Sequence, residues 1–354
     1  MAGLVLLVAS LTGCARLGYY AHLGKGGFAL VARGEKVERL LEDSATPGEL
    51  RGKLQAARAL LEFAETRLLL PVGKRYGKYL DLERPYAVWT VVATPEFSLE
   101  PRTWCFPIAG CVGYRGFFDP DRADRFAGSL RNEGLDAAVG GVRAFSSLGW
   151  FGDPLLNTFI FDPDRDLAGL LFHELAHSRI YVKGDTVFNE SFATAVERAG
   201  VRRWLEATSA EVDTEVADYE HSLRRLDHAY AGVERLRIRL EALYADSEMG
   251  ESARRARKAE HFAEFLRNLE TSDPDRTGAF AGWIGRDLNN ADLAAIGFYR
   301  ERLDAFQDLF RAASGDFERF YESAGCLAGL PPDERDRRLL EAIWGDCILA
   351  DSEG

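Results

Sequence analysis

The chain has 354 residues, enough for one large domain or two moderate ones with a real core. Its formal net charge of −12 argues against a nucleic-acid partner and says nothing positive about substrate. Apolar content is ordinary for a globular protein, and no internal repeat, low-complexity tract, phosphate-cradling glycine loop or nucleophile elbow occurs.

Met1 to Ser10 is apolar and too short to span a bilayer. Leu11-Thr12-Gly13-Cys14 follows and resembles the lipobox that ends a bacterial lipoprotein signal. On that reading residues 1–13 are a signal peptide and Cys14 is the lipidated first mature residue. The chain is then anchored to a membrane by lipid without crossing it, and faces the periplasm. Ala15 at the second mature position resembles lipoproteins sorted to the outer membrane. The alternative is a buried N-terminal helix with an incidental cysteine.

Residues 14–84 read as an anchor segment followed by helices over Gly34 to Asp43 and Thr46 to Leu70. In the second, Leu54, Ala57, Leu61 and Ala64 recur at helical spacing, and Pro71 stops it. Residues 85–204 shift to β-formers: strands are predicted at Tyr86–Ala93, Trp104–Ile108, Val112–Phe118 and Ala138–Phe145, with a short fifth at Thr158–Phe161. A helix is predicted from Asp124 to Glu133. The run Ala144–Trp150 is placed as an edge strand that could pair with an extended peptide. Asp162-Pro163-Asp164 then caps a helix over Leu167–Ile180 that is apolar almost all round, and so buried. Residues 205–270 carry one apolar stripe through Leu223, Leu226, Tyr230, Val233, Leu236 and Leu240, and return after Gly250 as an antiparallel helical hairpin. Residues 271–354 are a helical C-terminal region, including a helix through Tyr299 and Phe310.

Of five cysteines, Cys14 is assigned to lipid, which leaves four for two bridges. Cys105 and Cys111 flank a short loop between strands, and Cys326 and Cys347 flank a Pro-Pro turn. An oxidising periplasm permits both bridges, with free buried thiols as the alternative.

The chemistry concentrates in His173-Glu174-Leu175-Ala176-His177, an H-E-x-x-H motif. Histidines four apart share one helix face, so both imidazoles can reach one metal. Glu174 can approach a metal-bound water as general base without being a ligand. Glu190 comes thirteen residues after His177. Lys183-Gly184-Asp185-Thr186 between them supplies a glycine stop and an N-cap, so the local reading is helix, tight turn, helix. That folds Glu190 back beside the histidines, completing a three-ligand set for one Zn2+ per chain with an open fourth position. Asp185, Asn189 or Glu197 would support the ligands from outside, and Tyr299 or Tyr114 could donate to an oxyanion.

The sequence resembles the predicted bacterial aminopeptidases, zinc-dependent lipoproteins of the gluzincin type. The resemblance covers nearly the whole mature chain. It rests on Arg84–Trp89, Pro95–Leu99, Trp104–Cys111, Tyr114-Arg115-Gly116, Ala144–Phe151, and Phe172–Val182 continuing to Asp185–Glu190. It implies zinc at His173, His177 and Glu190, a catalytic Glu174 and a peptide substrate. The implied fold is α+β, mostly α: a zincin-like core of small mixed sheet and active-site helix, with an added helical hairpin and C-terminal helices. The spacer from His177 to Glu190 is shorter than in thermolysin-like enzymes, so their other subsites do not carry over. Two further readings stay open: a zinc endopeptidase or peptidoglycan stem-peptide hydrolase, and a non-catalytic zinc-stabilised interaction module. No oligomeric state is specified.

Overall fold

A computed structural model describes residues 33–106, 110–144, 152–272, 280–300 and 302–347, with Tyr19, His22, Leu23, Gly26 and Gly27 ahead of them. Cys14 and residues 145–150 of the expected edge strand lie outside these, as does the Tyr299 side chain. The fold is α+β and mostly helical. No described helix is long and apolar enough to cross a membrane.

In chain order, β1 (Glu35–Lys36) leads into α1 (Val37–Glu42) and α2 (Gly48–Arg67). Then come β2 (Lys78–Leu80), β3 (Val88–Pro95), β4 (Trp104–Phe106), β5 (Gly110–Val112) and β6 (Arg115–Phe117). Next are α3 (Pro120–Asn132), β7 (Leu135–Val142), β8 (Leu155–Leu156), α4 (Asp164–Arg179) and α5 (Thr186–Thr208). The hairpin is α6 (Val212–Ala245) and α7 (Glu251–Ser272). Four helices end the described chain: α8 (Asn290–Arg300), α9 (Leu303–Ala312), α10 (Phe317–Ala328) and α11 (Pro332–Glu341). The strands form three small sheets, ordered β1-β2-β8, β6-β3-β7 and β4-β5.

Several expectations shift. Thr158–Phe161 is a turn, not a strand: Phe159 and Ile160 donate to Leu156 O and Asp162 donates to Phe159 O, so local bonds satisfy the backbone. The neighbouring Leu155 and Leu156 are the residues that pair, in parallel with Tyr79 and Leu80. The helix predicted through Tyr299 and Phe310 is two helices, α8 and α9. Asp162 does not cap α4 with its side chain; Pro163 occupies the cap position, and the Asp162 carboxylate accepts from Arg143 at 2.6 Å.

The chain forms two compact units. The first takes the described residues of Met1–Thr90, Gly116–Asp124 and Gly140–Tyr181. Its core is α2 against α4: Leu54, Ala57, Leu60, Leu61 and Ala64 are buried on one helix, Leu167, Ala168, Leu171, Phe172, Leu175 and Ala176 on the other. The Phe63 and Phe172 rings stack with centroids 6.3 Å apart. Lys53 ties the start of α4 to α2, donating to Asp162 O and Asp164 Oδ1, both at 2.6 Å.

The second unit takes Val91–Arg115, Arg125–Val139 and the described residues of Val182–Gly354. Phe188 and Phe192 of α5 meet Phe306 of α9, and Phe192 also meets Phe320 and Tyr321 of α10, in one aromatic cluster. The hairpin buries Val233, Leu236, Leu240 and Leu243 against Phe262, Phe265 and Leu269. Cys105 and Cys111 are directly cross-strand and bonded, and Cys326 is bonded to Cys347.

Asn290, fully buried at the start of α8, fastens a distant loop. Its amide donates to Glu96 O and Ser98 O, both at 3.0 Å, and accepts from the Tyr244 hydroxyl at 2.8 Å. Lys258 bridges Asp136 and Glu96 O beside it. Asn290→Ala would orphan these buried groups and should lower unfolding free energy by about 3 kcal/mol in urea denaturation. Tyr244→Phe, which removes one bond, should cost about 1 kcal/mol.

Candidate metal centre

The H-E-x-x-H motif lies in the second half of α4. Leu175 and Ala176 face the core and are fully buried, which fixes the helix rotation and sets the other side chains. His173 and Glu174 are half-buried and His177 is 8% exposed. The two imidazoles stand one turn apart, ring centroids 5.0 Å, edge to face at 82°.

α4 ends at Arg179, where Ile180 turns extended while its N–H still donates to Ala176 O. Gly184 does not stop the helix; it sits in the following turn at φ +84°. Gly110 approaches that turn so closely that a Cβ on it would lie 2.8 Å from Gly184 N, and Gly110 itself has φ +81°. Both positions require glycine. Asp185 is the N-cap of α5, accepting from Phe188 N at 2.9 Å. Its second oxygen accepts from Arg335 Nε at 3.0 Å and Nη2 at 2.7 Å. Asn189 is buried and closes the turn like a backbone partner, donating to Val182 O at 2.8 Å and accepting from Val182 N at 2.7 Å. Asp185 and Asn189 thus hold the start of α5, and neither bonds a histidine.

Helix α5 begins earlier than Asn189, so Glu190 is its fifth residue and no acid occupies the first turn. Favouring the helix dipole is therefore not what places Glu190 there. Ligand atoms of His173, His177 and Glu190 all lie within 4.8 Å of one another. Two imidazoles and a carboxylate are the donor set of hydrolytic zinc sites, leaving a fourth tetrahedral position. With zinc–ligand bonds of about 2.0–2.1 Å, ligand atoms stand roughly 3.3 Å apart, a spacing that modest side-chain rotation reaches from here. The residues fit the ion.

Glu197 lies further along α5, half-buried and engaged. Tyr114 packs against the buried cluster of Val92, Ala291 and Ala294. Tyr299 is on α8. A tyrosine that the sequence reading passed over, Tyr76, is buried within electrostatic reach of Glu174. Burial, then the Glu174 and Asp153 charges, push its hydroxyl well above the ordinary phenol range, with Arg75 opposing.

No curated protein and no solved structure matches the chain. A family model described as "Putative aminopeptidase" matches residues 18–339. That span is most of the chain and contains every described residue of the centre, so the protein belongs to this aminopeptidase family, a family of peptidases.

Proposed function

We propose that the protein is a zinc-dependent aminopeptidase in which His173, His177 and Glu190 hold one zinc ion and Glu174 is the general base. The observation that carries this reading is the convergence of those three donors within 4.8 Å. Zinc held there supplies a Lewis acid for the scissile carbonyl and a coordination position for water. Glu174 sits between the two histidines on the same helix and is half-buried. Its carboxylate takes a proton from the attacking water and returns it to the departing amine, so one proton moves and none is consumed. The Arg335–Asp185 pair and the Asn189 bridge keep the start of α5 in place, and with it Glu190. Family membership supports a peptide substrate entered from its free amino end.

Glu174→Gln should keep stoichiometric zinc by elemental analysis and lose roughly 10²–10⁴-fold in kcat. Wild-type turnover in that variant would remove Glu174 as the base. Glu190→Ala should weaken zinc binding by more than the roughly 10–100-fold that supporting residues are worth, read by competition with a chelating dye. Peptides with a free amino terminus should be cleaved, and their N-acetylated forms should resist; equal rates would instead favour an endopeptidase.

A further inference from the structure

Strands β4 and β5 pair only with each other, with three residues in each. A two-stranded ribbon of that size is marginal by itself. Its three facing pairs have different tasks. Trp104 and Val112 anchor one end: Val112 is buried, and the Trp104 ring meets Phe126 of α3 with centroids 6.0 Å apart. Phe106 and Gly110 form the other end, and Gly110 meets the turn ahead of α5. Cys105 and Cys111 lie between these pairs, facing each other and covalently joined.

The contact with the turn is close. A Cβ on Gly110 would stand 2.8 Å from Gly184 N, 2.9 Å from Lys183 Cγ and 3.0 Å from Gly184 Cα. From the other side, a Cβ on Gly184 would come to 3.7 Å from Cys111 N and 3.8 Å from Cys111 O. The bonded Cys111 and its neighbour Gly110 therefore form the wall on which Lys183 and Gly184 rest. Ribbon and turn lie in the same compact unit. Glu190 follows the turn directly, in the second turn of α5.

The two disulfides differ in kind. Cys326–Cys347 spans 21 positions, and Cys347 is buried. Cys105–Cys111 spans 6, and both of its residues are exposed. Closing so short a loop removes comparatively little disorder from the unfolded chain, so this bond does more for local shape than for global stability. Its exposure also leaves it open to attack by a thiolate.

We propose that the Cys105–Cys111 disulfide is a redox-sensitive fastener of the turn that positions Glu190, acting through Gly110. The inference rests on the zinc-peptidase reading above and names a control on the same centre. Oxidised, the bond ties the anchored end of the ribbon to the end that touches the turn. A reducing dithiol opens it. The S–S bond breaks, two electrons and two protons pass to Cys105 and Cys111, and the dithiol departs as a disulfide. The Phe106–Gly110 end is then held by non-covalent contacts alone. The turn gains freedom, and the set of His173, His177 and Glu190 binds zinc less tightly.

The test is the double variant Cys105→Ser/Cys111→Ser, whose hydroxyls do not bind zinc as free thiolates would. Its zinc affinity, read by competition with a chelating dye, should fall roughly 10–100-fold, the effect of losing a group that orients a ligand. Amide hydrogen exchange over residues 182–190 should quicken, while α6 and α7 keep their protection. Wild-type zinc affinity in the variant would overturn the proposal, whether or not exchange quickens. Exchange needs no metal, so unchanged exchange over residues 182–190 overturns the fastener by itself. A wild type that takes up no zinc would overturn the reading beneath it and the control on the metal, and quickened exchange in the variant would tell that failure from this one. If the double variant fails to fold, the wild type is titrated with dithiothreitol, with mass spectrometry showing which disulfide opens. Exchange over residues 182–190 should quicken as Cys105–Cys111 opens and slow again on reoxidation. Quickening that follows Cys326–Cys347 instead, or none, rejects the proposal.

Discussion

A single helix can offer one ion only two imidazoles, because the next residue on the same face is a further turn away. A third donor must come from elsewhere, and in this chain the helix that follows brings the Glu190 carboxylate to within 4.8 Å of the histidine nitrogens. The segment from Ile180 to Asp185 is therefore the constraint on which the centre depends. It is held from several sides: by the Asn189 amide on Val182, by the Asp185 cap, by Arg335 on Asp185, and by the glycine-to-glycine approach of Gly110 to Gly184. None of these groups is a ligand. They hold the start of the helix that carries Glu190.

The ion pairs divide by how much water they see. Arg337 and Arg338 share Glu334 on α11 and depress its carboxyl to about 2, yet Glu334 and Arg337 see enough water to be screened, so the pair they form adds little to stability. Arg335, one turn away, has a side chain 5% exposed, reaches Asp185 with two nitrogens, and lies over the Phe188 ring at 5.5 Å. Removing its partner would strand a buried charge, and that asymmetry gives the pair its structural weight. Lys258 with Asp136, Arg198 with Asp227 and Arg302 with Asp336 also set a largely buried cation against a carboxylate.

What could be read from the sequence was what is local. The relation of His173 to His177 follows from helix period alone, and the capped turn to Glu190 follows from Gly184 and Asp185. The hairpin was visible because its apolar stripe repeats over many turns. Thr158–Phe161 misled because its composition suits a strand, while the backbone bonds it makes are those of a turn. The β2–β8 pairing was invisible: two residues on each strand carry no periodicity, and their partner is far along the chain. Tyr76 was missed for a related reason. Its conformation is imposed by a backbone bond to Asp153, and no pattern around Tyr76 announces that bond. Tyr114 and Tyr299 were named by residue type, which gives no place in space.

The Asp185 partner lies 150 positions away, close to the end of the described chain. Protein synthesis is vectorial, and domains fold as their residues emerge. While the ribosome is still making α6 to α10, the first turn of α5 has its cap but not its clamp. A nascent or C-terminally clipped chain would carry both histidines yet hold Glu190 loosely. The placing of Glu190 is thereby tied to the synthesis of α11.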